Sequence, residues 1–421
     1  MNSLPSSVNY AEVLPSLPEN ATRYSVALQP VNGSEFLPST QIQFQFPNRG
    51  YLIPDSLYLR YKQNITAGAT AITASIPGTP VFTPFQRLEI QLGSVTVDSI
   101  NNYHQVCNML TNTTMDWSQK YGNAPMYGYS TSAPPTTEEL DSRSLTIGIG
   151  LTESLSMACP LPCLLTNCDK LLPLWAMPSI TMTLTLEAVA NIISVVTNVS
   201  VYKLSNVELC FDFIELGSEV DAMVRGMADK IYLKSQSFSN SSVTIPANTN
   251  GSQSYIFNQR YASVKAAIVI LSATTGSKLF EAIDTTSSTG QISLNISGVQ
   301  YPQKPHNTLN AKNAILMELK KVIGSIYDRT NNVSINNTEF NVIPTSTFAF
   351  QTPGKFYVPF QLEKLHSGSL LTGISTNNSN ISVNIDQTSA VDNANKQCNL
   401  ILAYDALIEV DLINKQASVK V

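Results

Sequence analysis

The sequence predicts an all-β chain of two consecutive antiparallel sandwiches, with a few short helices in the connections. Three observations carry that reading. Apolar and polar residues alternate with a period of two in segment after segment between residues 41 and 412, the pattern of strands with one buried face. Residues 203–238, almost at the midpoint of the 421-residue chain, change period twice. Hydrophobic residues make up 43% of the chain and charged residues only 13%, a balance that suits half-buried strands joined by polar loops.

The midpoint stretch sets the domain organisation. Val207, Leu209, Phe211 and Phe213 alternate with Asn206, Glu208 and Asp212 as a strand. From Ser218, an expected N-cap, Val220, Met223, Val224 and Met227 fall at helical spacing, with Glu219 and Asp221 near the positive end of the helix dipole. Beyond Lys230 the alternation returns through Ile231, Leu233 and Phe238. A connector helix over 218–230 therefore separates an extended N-terminal arm (1–23) and a first β domain (24–217) from a second (231–421), each with its own core.

In the first half, Ile42, Phe44 and Phe46 alternate with glutamines, and Leu57, Leu59 and Tyr61 with Tyr58, Arg60 and Lys62. A polar loop is expected over 66–79. Leu88, Ile90 and Leu92 then form a strand that Gly93-Ser94 turns into a hairpin. Residues 100–110 are the first helix candidate. The aperiodic span 111–139 reads as a long surface loop, and strands resume at 145–155 and 180–186. In the last of these, Ile180, Met182, Leu184 and Leu186 oppose Thr181, Thr183 and Thr185, the clearest alternation in the chain.

The second half begins with a continuous apolar run over 264–271, expected as a strand buried on both faces. Ile292, Leu294 and Ile296 alternate next. Residues 310–327 form the longest helix, with Ile315, Leu319, Val322, Ile323 and Ile326 as its apolar stripe and Lys320 and Lys321 on a solvated face. Further strands are expected at 345–350, 356–361, 381–385, 399–404 and 407–412.

Function classes are narrowed by what the chain carries. The net charge is −5 without any cluster of four basic residues, so no direct, sequence-specific nucleic-acid binding is expected. No apolar run approaches the length of a membrane span, and residues 1–22 lack the pattern of a signal peptide. His104 beside Cys107 invites a nucleophile pair, but nothing nearby in sequence would orient the imidazole. Cys159, Cys163 and Cys168 lack zinc-ribbon spacing, and Gly148 and Gly150 form a lone G-x-G. His306 and His366 stand alone. No catalytic, cofactor-binding or metal-ligating residue is assigned, and the chain is expected not to be an enzyme. Sequons at Asn20, Asn64, Asn112, Asn198, Asn295, Asn332 and Asn380 leave open an alternative, a secreted or surface carbohydrate-binding protein of two β sandwiches.

Five segments add a family likeness: 84–103 (PFQRLEIQLGSVTVDSINNY), 171–186 (LLPLWAMPSITMTLTL), 204–229 (LSNVELCFDFIELGSEVDAMVRGMAD), 301–328 (YPQKPHNTLNAKNAILMELKKVIGSIYD) and 356–376 (FYVPFQLEKLHSGSLLTGIST). In pattern and order the chain resembles the double jelly-roll major capsid proteins of icosahedral DNA viruses, most closely the Polinton, adintovirus and virophage-like group. The resemblance implies two eight-stranded antiparallel jelly rolls. It also implies a homotrimer that forms pseudo-hexagonal capsomers in a virion shell assembled inside the host cell, with neighbouring capsomers, penton and minor capsid proteins as partners. Spans 111–139 and 272–289 are the candidates for its outward loops.

Overall fold

The computed structural model describes residues 21–129, 142–194, 198–227, 229–274, 279, 282, 289–327, 333–335, 340, 354–365, 371–387 and 395–421. Residues 1–20 of the expected arm, the strand at 345–350 and His366 lie outside them.

In the first half eight main strands follow in chain order: Thr22–Leu28, Gln41–Gln45, Tyr58–Ala67, Phe85–Leu92, Val95–Asn101, Thr152–Pro160, Ile180–Leu186 and Val199–Glu215. The first, eighth, third and sixth lie side by side in one sheet, and the second, seventh, fourth and fifth in the other. The second half supplies Lys230–Ile245, Gly251–Phe257, Val264–Ala273, Thr289–Ile296, Val299–Asn307, Val358–Gln361, Ile381–Gln387 and Lys396–Asp411. Their order is the same, 1-8-3-6 in one sheet and 2-7-4-5 in the other, with Gln416–Lys420 added beside the eighth.

Local sequence explains most of this. The alternation of Ile180–Leu186 puts Met182 between Phe44 and Ile90, and Leu184 between Ile42 and Leu88, so that apolar rows cross three strands. All six side chains are buried. Leu184→Ala is expected to lower unfolding stability by about 3 kcal/mol, read as a shifted urea midpoint at unchanged slope. The hairpin of Phe85–Leu92 and Val95–Asn101 turns at Gly93, whose φ of 61° suits glycine. Val264–Ala273 is buried on both faces, and the helix Lys312–Tyr327 packs beside it with Ile315, Leu319, Val322, Ile323 and Ile326 inward.

Several expectations change. The first helix is Tyr103–Thr114, with Ile100 still in the preceding strand. The expected surface loop at 111–139 carries helices where it is described: Trp117–Gly122, capped by Asp116 and Gln119, and Ala124–Tyr127, with Tyr127 and Tyr129 buried while Tyr121 and Met126 stay exposed. The polar loop at 66–79 contains the strand Ile72–Pro77, paired with Ser142–Ile147. Its apolar members Ile72, Ala74 and Ile76 are buried, and the alternating Thr73 and Ser75 disguise them. The strand expected over 145–155 is two, broken at Gly148–Gly150, and those expected at 399–404 and 407–412 are one, Lys396–Asp411.

The midpoint helix is Ser218–Met227. Its first intrahelical bond runs from the Asp221 N–H to the Gly217 carbonyl, so Gly217, at φ 88°, takes the cap position assigned to Ser218. Met223 points to solvent, while Tyr51 donates to Asp221 at 2.8 Å and Arg225 stacks over Trp175, fixing the helix to the first half through polar contacts. No strand is exchanged between halves among the described residues, yet the buried apolar side chains form one connected cluster. Two separate cores were expected; the sandwiches instead share a seam.

Candidate functional site

The seam between the two sandwiches is built from polar side chains that no local periodicity reveals. It joins an edge strand of each half: Val95–Asn101 and Lys230–Ile245. On the second, Leu233, Ser235, Ser237 and Ser239 share one face and all are buried. Serine serves on this buried face because it meets hydrogen-bonding groups of the first half rather than a greasy interior.

Asp98 is their focus. Its Oδ2 accepts from the Ser237 hydroxyl at 2.7 Å and the Leu164 N–H at 2.9 Å, and its Oδ1 from the Tyr404 hydroxyl at 3.2 Å. Burial pushes the carboxyl up to about 6, while the three donors pull it partly back. Residues 164–169 run along the open edge of Lys230–Ile245. The Ser235 hydroxyl donates to the Leu164 carbonyl at 2.5 Å, Asn167 Nδ2 to the Gln236 carbonyl at 2.9 Å, and the Asp169 N–H to the Lys234 carbonyl at 2.9 Å. An edge strand that would otherwise recruit a foreign chain is thereby covered. The helix Tyr103–Thr114 adds Gln105 Nε2 to the Leu279 carbonyl at 2.9 Å and Asn112 Nδ2 to the Tyr357 hydroxyl at 3.2 Å.

The residues weighed for chemistry resolve into structural parts. His104 does have an orienting partner, contrary to expectation: Glu187, 83 residues away, lies 3.1 Å from Nε2. Burial alone would raise Glu187, but bonds from His104, the Ala188 N–H and Asn191 hold it below its ordinary value. The pair is sealed from solvent, with side-chain exposures of 0% and 6%, so no substrate reaches it. Burial drives the Cys107 thiol well above its usual range, which suppresses the thiolate a nucleophile needs. Cys163 is pushed up to about 11 and Cys168 to about 12 by the same cause. All six cysteines are free.

Gly148 and Gly150 lie in the turn between two strands, Lys321 pairs with Glu318 at 2.6 Å, and His306 Nε2 meets the Pro359 carbonyl at 2.9 Å. Among the described residues no three His, Cys, Asp or Glu side chains gather as a metal site, and no helix is long and apolar enough to cross a membrane. An open groove of about 610 Å³ over the 1-8-3-6 sheet of the first half is lined by Arg60, Lys62, Met126, Ser156, Met157 and Glu208, with Arg60 already paired to Glu208. Asn112, a sequon, is buried and has no room for a glycan.

The decisive observation is the strand order 1-8-3-6 facing 2-7-4-5, found twice in one chain. The chain is a double jelly roll. Solved structures agree over its whole length. The Faustovirus major capsid protein matches at TM-score 0.62 and 9% identity, covering 96% of this chain and 92% of that one. The Sputnik virophage structure determined by cryo-EM matches at 0.59 and 13%, covering 100% and 93%. The mavirus major capsid protein matches at 0.56 and 12%, covering 100% and 95%. No family model and no curated protein matches the sequence. At such identities the likeness lies in the path of the chain, and the double jelly roll is legible without shared side chains.

Proposed function

We propose that this protein is a major capsid protein whose copies associate in threes into pseudo-hexagonal capsomers, which tile an icosahedral virion shell. The observation that carries the reading is the pairing of two jelly rolls of one strand order across a buried hydrogen-bonded seam, in a chain that the capsid proteins above match from end to end. Two similar modules per chain let three chains approach sixfold outline while keeping a closed threefold ring. In this role the protein works by shape and buried surface, with neighbouring capsomers as its main partners and penton and minor capsid proteins as others. Native mass spectrometry of the purified protein is expected to find three copies of the 45.8-kDa chain as the main species at micromolar concentration. A mass of one chain at every concentration contradicts the reading.

A further inference from the structure

The outer face of the 1-8-3-6 sheet in the first half is not flat. Glu208, Arg60 and Ala158 form a row across its eighth, third and sixth strands, and Gln29 Nε2 donates to Glu208 at 2.6 Å. Beside this row the eighth strand bulges. Between the pairs Ser205–Lys62 and Glu208–Arg60, two residues, Asn206 and Val207, stand opposite the single Tyr61, and Asn206 takes a φ of 50°. A bulge of this kind bends its strand and interrupts the surface. The short helix Ala124–Tyr127 packs beside the sixth strand and holds Met126 at 47% exposure. Bulge and helix together bound the groove of about 610 Å³.

The corresponding place in the second half is filled. There the helix Lys312–Tyr327 packs against the third and sixth strands, Val264–Ala273 and Val358–Gln361, and buries Ile315, Leu319 and Val322. In the first half the third and sixth strands, Tyr58–Ala67 and Thr152–Pro160, carry the groove instead. Its walls include Tyr61, Pro125, Met126 and Met157, and on its rim Lys62 is exposed and makes no ion pair among the described residues. An apolar trough with a spare cation suits an apolar segment that brings a carboxylate.

We propose that residues 8–14 of the same chain dock in this groove, with Glu12 against Lys62. Glu12 and Glu19 are the only charged side chains in residues 1–20, and Val8, Tyr10, Val13 and Leu14 flank Glu12 with apolar surface. Reach fits as well. The first strand starts at Thr22, and strand rise and spacing place Lys62 roughly 30 Å from it, up the sheet and two strands across. Glu12 precedes Thr22 by ten residues, about 31–36 Å of extended chain, and Pro15 and Pro18 favour that extended form. The docked segment would cover Met126 and give Lys62 its missing partner.

Zero-length carbodiimide cross-linking of the full chain, on an equal mixture of unlabelled and nitrogen-15-labelled copies, tests the docking together with Met126→Asp. Mass spectrometry is expected to find Glu12 joined to Lys62 in peptides whose two halves carry the same isotope. Chymotrypsin is expected to cut after Tyr10 at least ~tenfold faster in Met126→Asp than in the parent, because the variant puts a carboxylate in the apolar trough and releases the segment. Met126 is half-exposed, so the variant keeps its fold. Absence of the Glu12–Lys62 cross-link, or equal cutting rates in the two proteins, overturns the proposal. A cross-link found equally in peptides of mixed isotope overturns it too, by giving the groove to residues 8–14 of a second copy. The contact lies within one chain, so these outcomes are independent of whether the protein assembles in threes.

Discussion

Replacing Asp98 by asparagine is expected to remove a pH dependence of about 3 kcal/mol from the stability of this protein. The folded carboxyl is raised to about 6 from an ordinary 3.8, mainly by burial in the seam. A raised acid binds its proton more readily in the native state. Its contribution is therefore fully present below about pH 4, falls as pH rises towards 6, and stays low above that. Asparagine carries no charge to desolvate, keeps an acceptor for Ser237 and Leu164, and turns its amide towards Tyr404. Measured by urea unfolding, the asparagine variant should gain about 3 kcal/mol on the parent between pH 4 and pH 7. A difference that does not change with pH contradicts this account of the seam. Asp98→Ala, by contrast, leaves three buried donors without an acceptor and is expected to destabilise at both pH values by several times ~1 kcal/mol.

Gly373→Ala is expected to be severely damaging for a single added methyl group. A Cβ there would lie 2.4 Å from the Val264 carbonyl oxygen, with the Val264 carbon and nitrogen at 2.5 and 2.6 Å. These are backbone atoms in a packed strand and cannot swing aside. Relief means separating the two chains, which breaks the reciprocal Val264–Ile374 hydrogen bonds of 2.8 and 2.9 Å and the Gly373 N–H bond to Ser263. The expected loss is ~4 kcal/mol or failure to fold, read by urea unfolding and soluble yield. Gly122→Ala is the matched control: nothing lies within 4 Å of its Cβ, at the end of a short helix, and the change is expected to be neutral or to stabilise by up to ~1 kcal/mol. Equal effects at the two positions would contradict the packing described for Gly373.

The sequence spoke clearly where one face of an element meets apolar core and the other meets water. Ile180–Leu186 and Lys312–Tyr327 were legible for that reason, and the unbroken apolar run at 264–271 because both its faces are covered. Legibility failed where polar residues are buried. The helix Tyr103–Thr114 hides Gln105, Asn108 and Asn112 as well as Val106 and Met109, so its periodicity was weak and its end was misplaced. Ser235, Ser237 and Ser239 carry no apolar signal, and only the facing half of the chain shows why they are buried. The His104–Glu187 pair joins residues too far apart for any spacing rule. What escaped local reading was the seam, because its logic is a matching of donors and acceptors between distant segments.

The central claim is that two jelly rolls per chain, joined by that seam, are built to assemble in threes. Negative-stain electron microscopy of the purified full-length protein tests it most directly. Class averages are expected to show particles with a hexagonal outline and threefold symmetry. Single elongated two-lobed particles, with no ring at any concentration, would contradict it.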